Sequence, residues 1–259
     1  TFNEVLGTTT NPWNTALTCG GSSGGSAAAL AAGQVWLASG SDLGGSLRIP
    51  ASFCGVVGLR PSPGRVARYP AASPFNGLPV EGPMGRTVGD TALMLDAMVG
   101  QHVRDPISLP KPDRSFQSAV DEPRPPRRVA FSPDLGLGPV ETEIAEVCAA
   151  AAARFEELGA SVEEATPDFR DAIECFHALR AAFMVTSLGP LLAEKRELIK
   201  PDLIWNIEQG LALDATAIGR AERARAALYH RVVDFFEDYD LLLSPAVIVP
   251  PFSHEQHYV

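Results

Sequence analysis

Two glycine- and serine-rich stretches in the first 50 residues carry the residue types that nucleophilic catalysis needs. They read GGSSGGS over residues 20–26 and GSDLGGSLR over residues 40–48. Serines set in such loops are candidate nucleophiles or proton carriers. Glycines let the chain turn so that consecutive backbone N–H groups face inward, where they stabilise a developing oxyanion. The two stretches therefore predict a site for covalent chemistry on a serine.

Three other interpretations of these stretches are a flexible linker, a phosphate-binding loop and a nucleophile elbow. Hydrophobic segments flank both stretches, and a flexible linker has no need of Asp42 or Arg48. A P-loop ends in Gly-Lys-Ser or Gly-Lys-Thr, and the first lysine of the chain is Lys111. The elbow pattern G-x-S-x-G is met around both Ser22 and Ser23. An esterase that uses one of them with a downstream acid and histidine therefore stays open.

The elements that must position these loops are predicted from apolar patterning. An alanine-rich run predicts a buried helix over residues 26–38, and an apolar segment predicts a strand within residues 53–59. Thr87 can cap a helix that extends to residue 99. Further along, the patterns predict strands at residues 128–132, 161–165 and 241–243 and helices at residues 140–158, 168–187, 190–212 and 217–239. This mixture predicts an α/β protein.

Proline usage divides the chain into an early and a late part. Prolines are frequent between residues 106 and 126, which is typical of a surface connection. We expect a single domain over residues 1–259, with a catalytic core in residues 1–105 and a proline-rich linker at residues 106–127. Residues 128–259 then form a helical substrate-side region with short strands.

Charge and cysteine content narrow the classes of partner. The net charge of −10 and the pI near 5.0 argue against a nucleic-acid binder, which normally shows a basic stripe. No uninterrupted apolar run is long enough to span a membrane. The four cysteines have no metal-ligand spacing and no need of a disulfide framework. We expect a cytoplasmic protein with reduced thiols.

The segment from Gly20 to Pro61 resembles the defining block of the amidase signature family. It reads GGSSGGSAAALAAG from residue 20 and GSDLGGSLRIPASFCGVVGLRPS from residue 40. TNPWN at residues 10–14 and GPMGRT at residues 82–87 resemble the family on either side. The resemblance covers nearly the whole chain and is most specific in the first 100 residues. It implies an amidase-signature fold, with a mixed central β-sheet covered by helices on both faces.

The resemblance implies a Ser–cis-Ser–Lys triad. Carried over by position, Ser46 is the acyl nucleophile and Ser22 the serine that bridges it to the lysine. The Gly21–Ser22 peptide is then cis, and Ser23 supports this geometry.

The loop around the nucleophile has implied roles of its own. Its backbone amides form the oxyanion hole, contributed by Leu43, Gly44, Gly45 and Ser46. Asp42 and Arg48 support the loop through charge-assisted hydrogen bonds. The chemistry requires no metal and no organic cofactor.

The lysine of the triad has no match among the lysines of this sequence. In the family it lies well upstream of the first serine loop, and we assign the role to none of Lys111, Lys195 and Lys200. We therefore expect an interior fragment of a family member that lacks the N-terminal segment with the catalytic lysine. A protein that really were this short should not hydrolyse amides by the usual mechanism.

The leading functional hypothesis is an amidohydrolase that cleaves the carbon–nitrogen bond of a small linear amide. Alternatives are the A-type subunit of a tRNA-dependent amidotransferase and a catalytically inactive protein of the same fold. The amidotransferase subunits usually have Gln directly after the arginine matched by Arg48, whereas this chain has Ile49. We leave a homodimer open. Six side chains could line an acyl pocket, although packing in the core is the more common role: Phe176, Phe183, Met184, Leu188, Trp205 and Ile207.

Overall fold

The computed structural model describes residues 1–259, which form two compact units. The first unit comprises residues 1–124 together with residues 140–144 and 246–259. The second comprises residues 125–139 and 145–245. The boundary at residues 124 and 125 falls inside the proline-rich stretch that was expected to be a linker. The combination of helices and sheets agrees with the predicted α/β class.

The first unit contains three small antiparallel sheets and four helices. Its strands are β1 (Phe2–Asn3), β2 (Gly7–Thr8), β3 (Thr10–Asn11), β4 (Asn14–Thr18), β5 (Leu37–Asp42), β6 (Val57–Gly58) and β7 (Val80–Gly85). Its helices are α1 (Gly24–Ala31), α2 (Arg48–Cys54), α3 (Val88–Met98) and α4 (Phe116–Asp121). Strand β7 lies between β5 and β6, and Asp42 at the end of β5 pairs with Val80. Hairpins β1–β2 and β3–β4 form the other two sheets.

Both serine stretches lie at the ends of elements that pack on one core. Helix α1 starts within the first stretch, at Gly24, and the second stretch runs from the end of β5 to the first residue of α2. The core between these elements consists of fully or almost fully buried side chains, namely Cys19, Ala27, Leu30, Leu47, Ala51, Cys54 and Met84. Because this core fixes α1, β5 and α2 together, it also fixes the loops between them.

The structure corrects two of the predicted element boundaries near these loops. The helix predicted over residues 26–38 ends at Ala31. Gly33 has a φ of +71°, and the Gln34 N–H donates to the Ala29 carbonyl, which is the Schellman end of a helix. The strand predicted within residues 53–59 is confirmed only at Val57–Gly58, which form β6, because residues 53 and 54 are the last turn of helix α2. Pro50 sits in the first turn of α2, where its missing N–H costs nothing.

The helix predicted from Thr87 is confirmed. The Thr87 side chain accepts a hydrogen bond from the Asp90 N–H, and the Asp90 carboxylate accepts one from the Thr87 N–H. This reciprocal capping box satisfies two N–H groups at the start of α3.

The second unit has a parallel sheet and a group of three helices. Its elements are β8 (Arg128–Phe131), α5 (Thr142–Glu157), β9 (Ser161–Glu164), α6 (Ala172–Lys195), α7 (Pro201–Leu211), α8 (Ala215–Phe235) and β10 (Leu241–Leu243). Helix α5 begins in the part of the chain that belongs to the first unit. The sheet order is β10–β8–β9, with all strands parallel. A short 3-10 helix, Arg196–Leu198, follows α6.

Helix α6 is longer than predicted and runs through Pro190. The patterns placed a helix end at residue 187, but Leu192, beyond the proline, is buried and continues the packed side of the helix. By length and composition, Ala172–Leu198 is able to cross a membrane. Here Cys175 and Leu179 are buried against Ala221 of α8.

Candidate active site

Asp42, at the end of β5, organises the loop that carries Ser46. Its side chain is fully buried. The Gly45 N–H donates to Oδ1 over 2.8 Å and the Leu47 N–H to Oδ2 over 3.1 Å. Arg48 donates from Nε to Oδ2 and from Nη2 to Oδ1, each over 3.0 Å. The carboxylate therefore holds the amides on both sides of Ser46.

The same contacts decide the charge of Asp42. Burial alone would raise the pKa of this carboxyl, because a low-dielectric surrounding disfavours the charged form. The hydrogen bonds and charge of Arg48 and the N–H groups of Gly45 and Leu47 outweigh burial, and they lower the pKa of Asp42 from 3.8 to about 2. Asp42 is therefore an anion over the whole range in which proteins are normally folded.

This lowered pKa predicts an acid-dependent loss of stability. A carboxyl whose pKa is lower in the folded state stabilises the fold fully above its unfolded pKa, near 4, and loses that contribution as the pH falls towards 2. The shift corresponds to about 2 kcal/mol. Urea denaturation at several pH values between 6 and 2.5 measures how the free energy of unfolding changes with pH.

A variant without this carboxyl isolates the contribution of Asp42 to the stability. The Asp42→Asn variant lacks the titrating group, so the stability difference between the wild type and the variant should shrink on acidification. Asp168, a partly exposed carboxyl whose pKa is also lowered to about 2, titrates equally in both chains. A difference that stays constant down to pH 2.5 contradicts the assignment.

The first serine loop is joined to the second through Ser23. The Ser23 N–H donates to the Ser46 carbonyl oxygen over 3.1 Å. Ser23 Oγ accepts from the Ser41 N–H over 3.2 Å and lies 3.3 Å from the Ser41 carbonyl oxygen. A Cβ on Gly40 would lie 2.5 Å from Ser23 Oγ, so this approach requires glycine there. The Gly21–Ser22 peptide is cis, the geometry that the family resemblance implies.

Three serines of these loops have a hydroxyl group without a hydrogen-bond partner in the chain: Ser22, Ser41 and Ser46. Ser41 is an exposed residue of strand β5, so Ser22 and Ser46 are the two in the loops proper. Ser23 and Ser26 use their hydroxyls to bind backbone groups of β5. Ser22 is exposed and Ser46 is half-buried. Ser46 therefore sits on a fixed backbone with a free hydroxyl.

Of the four backbone amides expected to form the oxyanion hole, three are free in the structure and one is not. The Gly45 N–H points to Asp42, so it is already used within the protein. The amides of Leu43, Gly44 and Ser46 have no acceptor among the loop's hydrogen bonds. Gly45 serves the loop by conformation instead, because its φ of +102° is one that other residues rarely adopt.

One charged residue of this site was not predicted. Arg60 Nη1 donates to the Asp42 backbone oxygen and, over 3.2 Å, to Asp42 Oδ1. Its Nη2 donates to the Leu78 carbonyl oxygen over 2.8 Å. Arg60 lies 18 residues after Asp42, and no local spacing rule connects the two. Its only signal in the sequence is its place inside the family-like block.

The remaining candidates lie elsewhere. Lys111, Lys195 and Lys200 are all exposed. No group of three or more His, Cys, Asp or Glu side chains is placed to hold a metal ion. In the second unit, a cavity of about 810 Å³ lies among α6, α7 and α8. Of the six residues suggested for an acyl pocket only Trp205 lines it, and Ile207 is fully buried core.

A free serine hydroxyl on a loop with unused backbone amides is the arrangement that serine hydrolases use to form an acyl-enzyme. The family model described as Amidase matches residues 1–259, and the chain therefore belongs to the amidase family. The resemblance noted in the two serine stretches is thereby confirmed.

Relatives with known names agree with this membership. The chain is 40% identical over 258 residues to an acylamidase of Rhodococcus erythropolis, covering 99% of this chain and 54% of that protein. It is 44% identical over 166 residues to the A-type subunit of the glutamyl-tRNA(Gln) amidotransferase of Maridesulfovibrio salexigens, covering 62% of this chain and 33% of that protein. The chain thus spans about half the length of the acylamidase, and a third of the amidotransferase protein is matched.

The fold has close counterparts among solved structures. A bacterial aryl acylamidase of the amidase signature family superimposes with a TM-score of 0.86 at 32% sequence identity. The match covers 95% of this chain and 53% of that one. The α/β fold of the amidase signature enzymes is therefore also the fold of this chain.

Proposed function

We propose that this protein is an amidohydrolase that cleaves the carbon–nitrogen bond of a linear amide, with Ser46 as its nucleophile. The observation that carries the proposal is the free Ser46 hydroxyl on a loop whose backbone Asp42 holds on both sides. A nucleophile held in one orientation avoids much of the entropy cost of reaching the transition state. The names of the acylamidase relatives support an amide as the substrate class.

The residues suggest a sequence of steps. Ser46 Oγ attacks the amide carbonyl carbon, and the free amides of Leu43, Gly44 and Ser46 stabilise the oxyanion. Ser22, in the adjoining loop, carries the proton of Ser46 towards a base. The proton then goes to the departing amine as the carbon–nitrogen bond breaks, and water hydrolyses the acyl ester on Ser46.

The base in this relay is the lysine that the family resemblance implies. Among residues 1–259 we assign it to none of the three lysines, all of which are exposed. Asp42 is not the base, because its carboxylate is fully buried and its oxygens already accept five hydrogen bonds, which come from Gly45, Leu47, Arg48 and Arg60.

The amidotransferase subunit is the alternative in a different functional class. A-type subunits also match over 99% of this chain, but there the identity is 32%, compared with 40% for the acylamidase. Ile49, in place of the Gln usual in those subunits, also favours the amidohydrolase. Copurification with stable partner subunits would favour the amidotransferase. Homodimer formation and a cytoplasmic location stay predictions.

Labelling with a serine-directed fluorophosphonate tests the proposal. We expect one label per protein molecule, mapped by peptide mass to Ser46, because this serine combines a free hydroxyl with free amides nearby. Prior denaturation should abolish the label, since the unfolded chain has no oxyanion site. A label on Ser22 or Ser23 alone contradicts the proposal and favours the esterase. Absence of any label, together with absence of amide turnover, favours the inactive relative.

A further inference from the structure

Arg60 is the one charged group from outside the serine loops that reaches Asp42. It lies just after β6, and the preceding residue, Leu59, donates its N–H to the Pro83 carbonyl oxygen of β7. The Arg60 side chain is 23% exposed, compared with 48% for Arg48, the other cation on Asp42. Arg60 is therefore the more deeply placed of the two.

We propose that Arg60 is a positioning residue for Ser46. By binding both Asp42 and Leu78, it helps to hold the nucleophile loop, residues 42–48, against the β5–β7–β6 sheet. The inference rests on the proposed function of Ser46. Arg60 itself makes no contact with Ser46 and is not a catalytic residue.

The difference between the two arginines carries this inference. Arg48 lies six residues after Asp42, where the same loop ends at the start of α2, so its bond to Asp42 closes the loop on itself. Arg60 belongs to a separate segment that is hydrogen-bonded to β7. Its Nη1 contacts both the backbone and the side chain of Asp42, while Nη2 contacts Leu78, two residues before β7 begins. Of the two arginines, only Arg60 ties Asp42 to a segment outside the loop.

Asp42 transmits the position of Arg60 to the nucleophile. One carboxylate oxygen holds the Gly45 N–H and the other the Leu47 N–H, and Ser46 lies between these two residues. A shift of the carboxylate therefore moves both flanking amides of Ser46. Misplacement of a reacting group by about 1 Å can cost about 100-fold in rate.

Three variants test the role of Arg60. Arg60→Met removes the guanidinium but keeps an unbranched side chain of similar length. Arg60→Lys keeps the charge but has one nitrogen, so it cannot bind Asp42 and Leu78 with the same fork. Arg65→Met is the matched control, because Arg65 lies in the same connection and donates only to the Pro110 carbonyl at the surface.

We expect kcat for amide hydrolysis to fall about 10- to 100-fold in Arg60→Met, with KM changed by less than about threefold. Arg60→Lys should recover part of kcat, and Arg65→Met should match the wild type. Hydrogen exchange of the backbone amides in residues 42–47 should become faster.

The same measurements can overturn the proposal. If the exchange rate of residues 42–47 is unchanged in Arg60→Met, Arg60 does not position the loop. If kcat falls only in proportion to the fraction of unfolded protein, with no recovery by lysine, the residue is merely structural. The exchange experiment does not depend on turnover. Inactivity of a wild type that contains the lysine of the relay therefore contradicts the proposed function, while the exchange rates alone still decide the role of Arg60.

Discussion

Replacing Ser46 by alanine is expected to reduce amide hydrolysis at least about a thousandfold, because no acyl-enzyme can form without its oxygen. The fold should be unaffected, since Ser46 Oγ has no hydrogen-bond partner in the chain. Steady-state kinetics with a chromogenic anilide measures the activity, and thermal unfolding checks the fold. Activity within about tenfold of the wild type, in a folded variant, contradicts the assignment of the nucleophile.

Alanine variants of the neighbouring serines serve as comparisons for Ser46→Ala. Ser22→Ala should lose a large part of kcat, because the proton relay is broken. Ser26→Ala should remain close to the wild type, since the Ser26 hydroxyl only donates to the Ser39 carbonyl. Ser23→Ala removes the link to Ser41, so its effect should appear in stability as well as in rate. A series in which Ser22 and Ser23 matter but Ser46 does not favours the esterase.

The candidate site is predictable from sequence where it is contiguous. Ser46, Asp42 and Arg48 lie within seven residues, and a short glycine-rich loop with paired charges already implies that its members meet. Arg60 could not be found in this way, because its contact with Asp42 depends on the path of β6 and β7. The use of the Gly45 amide by Asp42 was equally hidden, since backbone geometry decides which N–H groups stay free.

The secondary structure was likewise predictable where local contacts determine it and not where distant contacts do. Helix α3 was predicted because Thr87 and Asp90 cap it through contacts three residues apart. Strand β5 was missed because its residues, LASGSD, are poor strand formers, and pairing with β7 imposes their conformation. The apolar run after Pro50 was equally ambiguous, because short apolar runs fit a helix or a strand and tertiary packing decides between them.

Replacing Asp42 by asparagine is expected to be the most destabilising single change at the site. The amide group has about the same shape, but its NH₂ would face the N–H groups of Gly45 or Leu47 and the two guanidinium groups. Removing one partner of a fully buried ion pair typically costs about 3–5 kcal/mol, and the loss here should lie near the lower end of this range, because Arg48 and Arg60 are partly exposed and solvent compensates part of their charge. Urea denaturation at pH 7 measures this loss, and fluorophosphonate labelling of Ser46 should slow strongly in the folded fraction.

The Asp168→Asn variant shows how much of the lost stability comes from removing an ion pair and how much from the burial of Asp42. Both carboxyls have a pKa lowered to about 2, and both accept hydrogen bonds from an arginine. Asp42 is fully buried, whereas the ion pairs of Asp168 lie at the surface, where solvent screens them. The loss of stability in Asp168→Asn should therefore be much smaller. Equal losses in the two variants would mean that ion pairing alone sets the effect. Slow labelling only in Asp42→Asn would mean that this buried carboxylate holds the nucleophile in place.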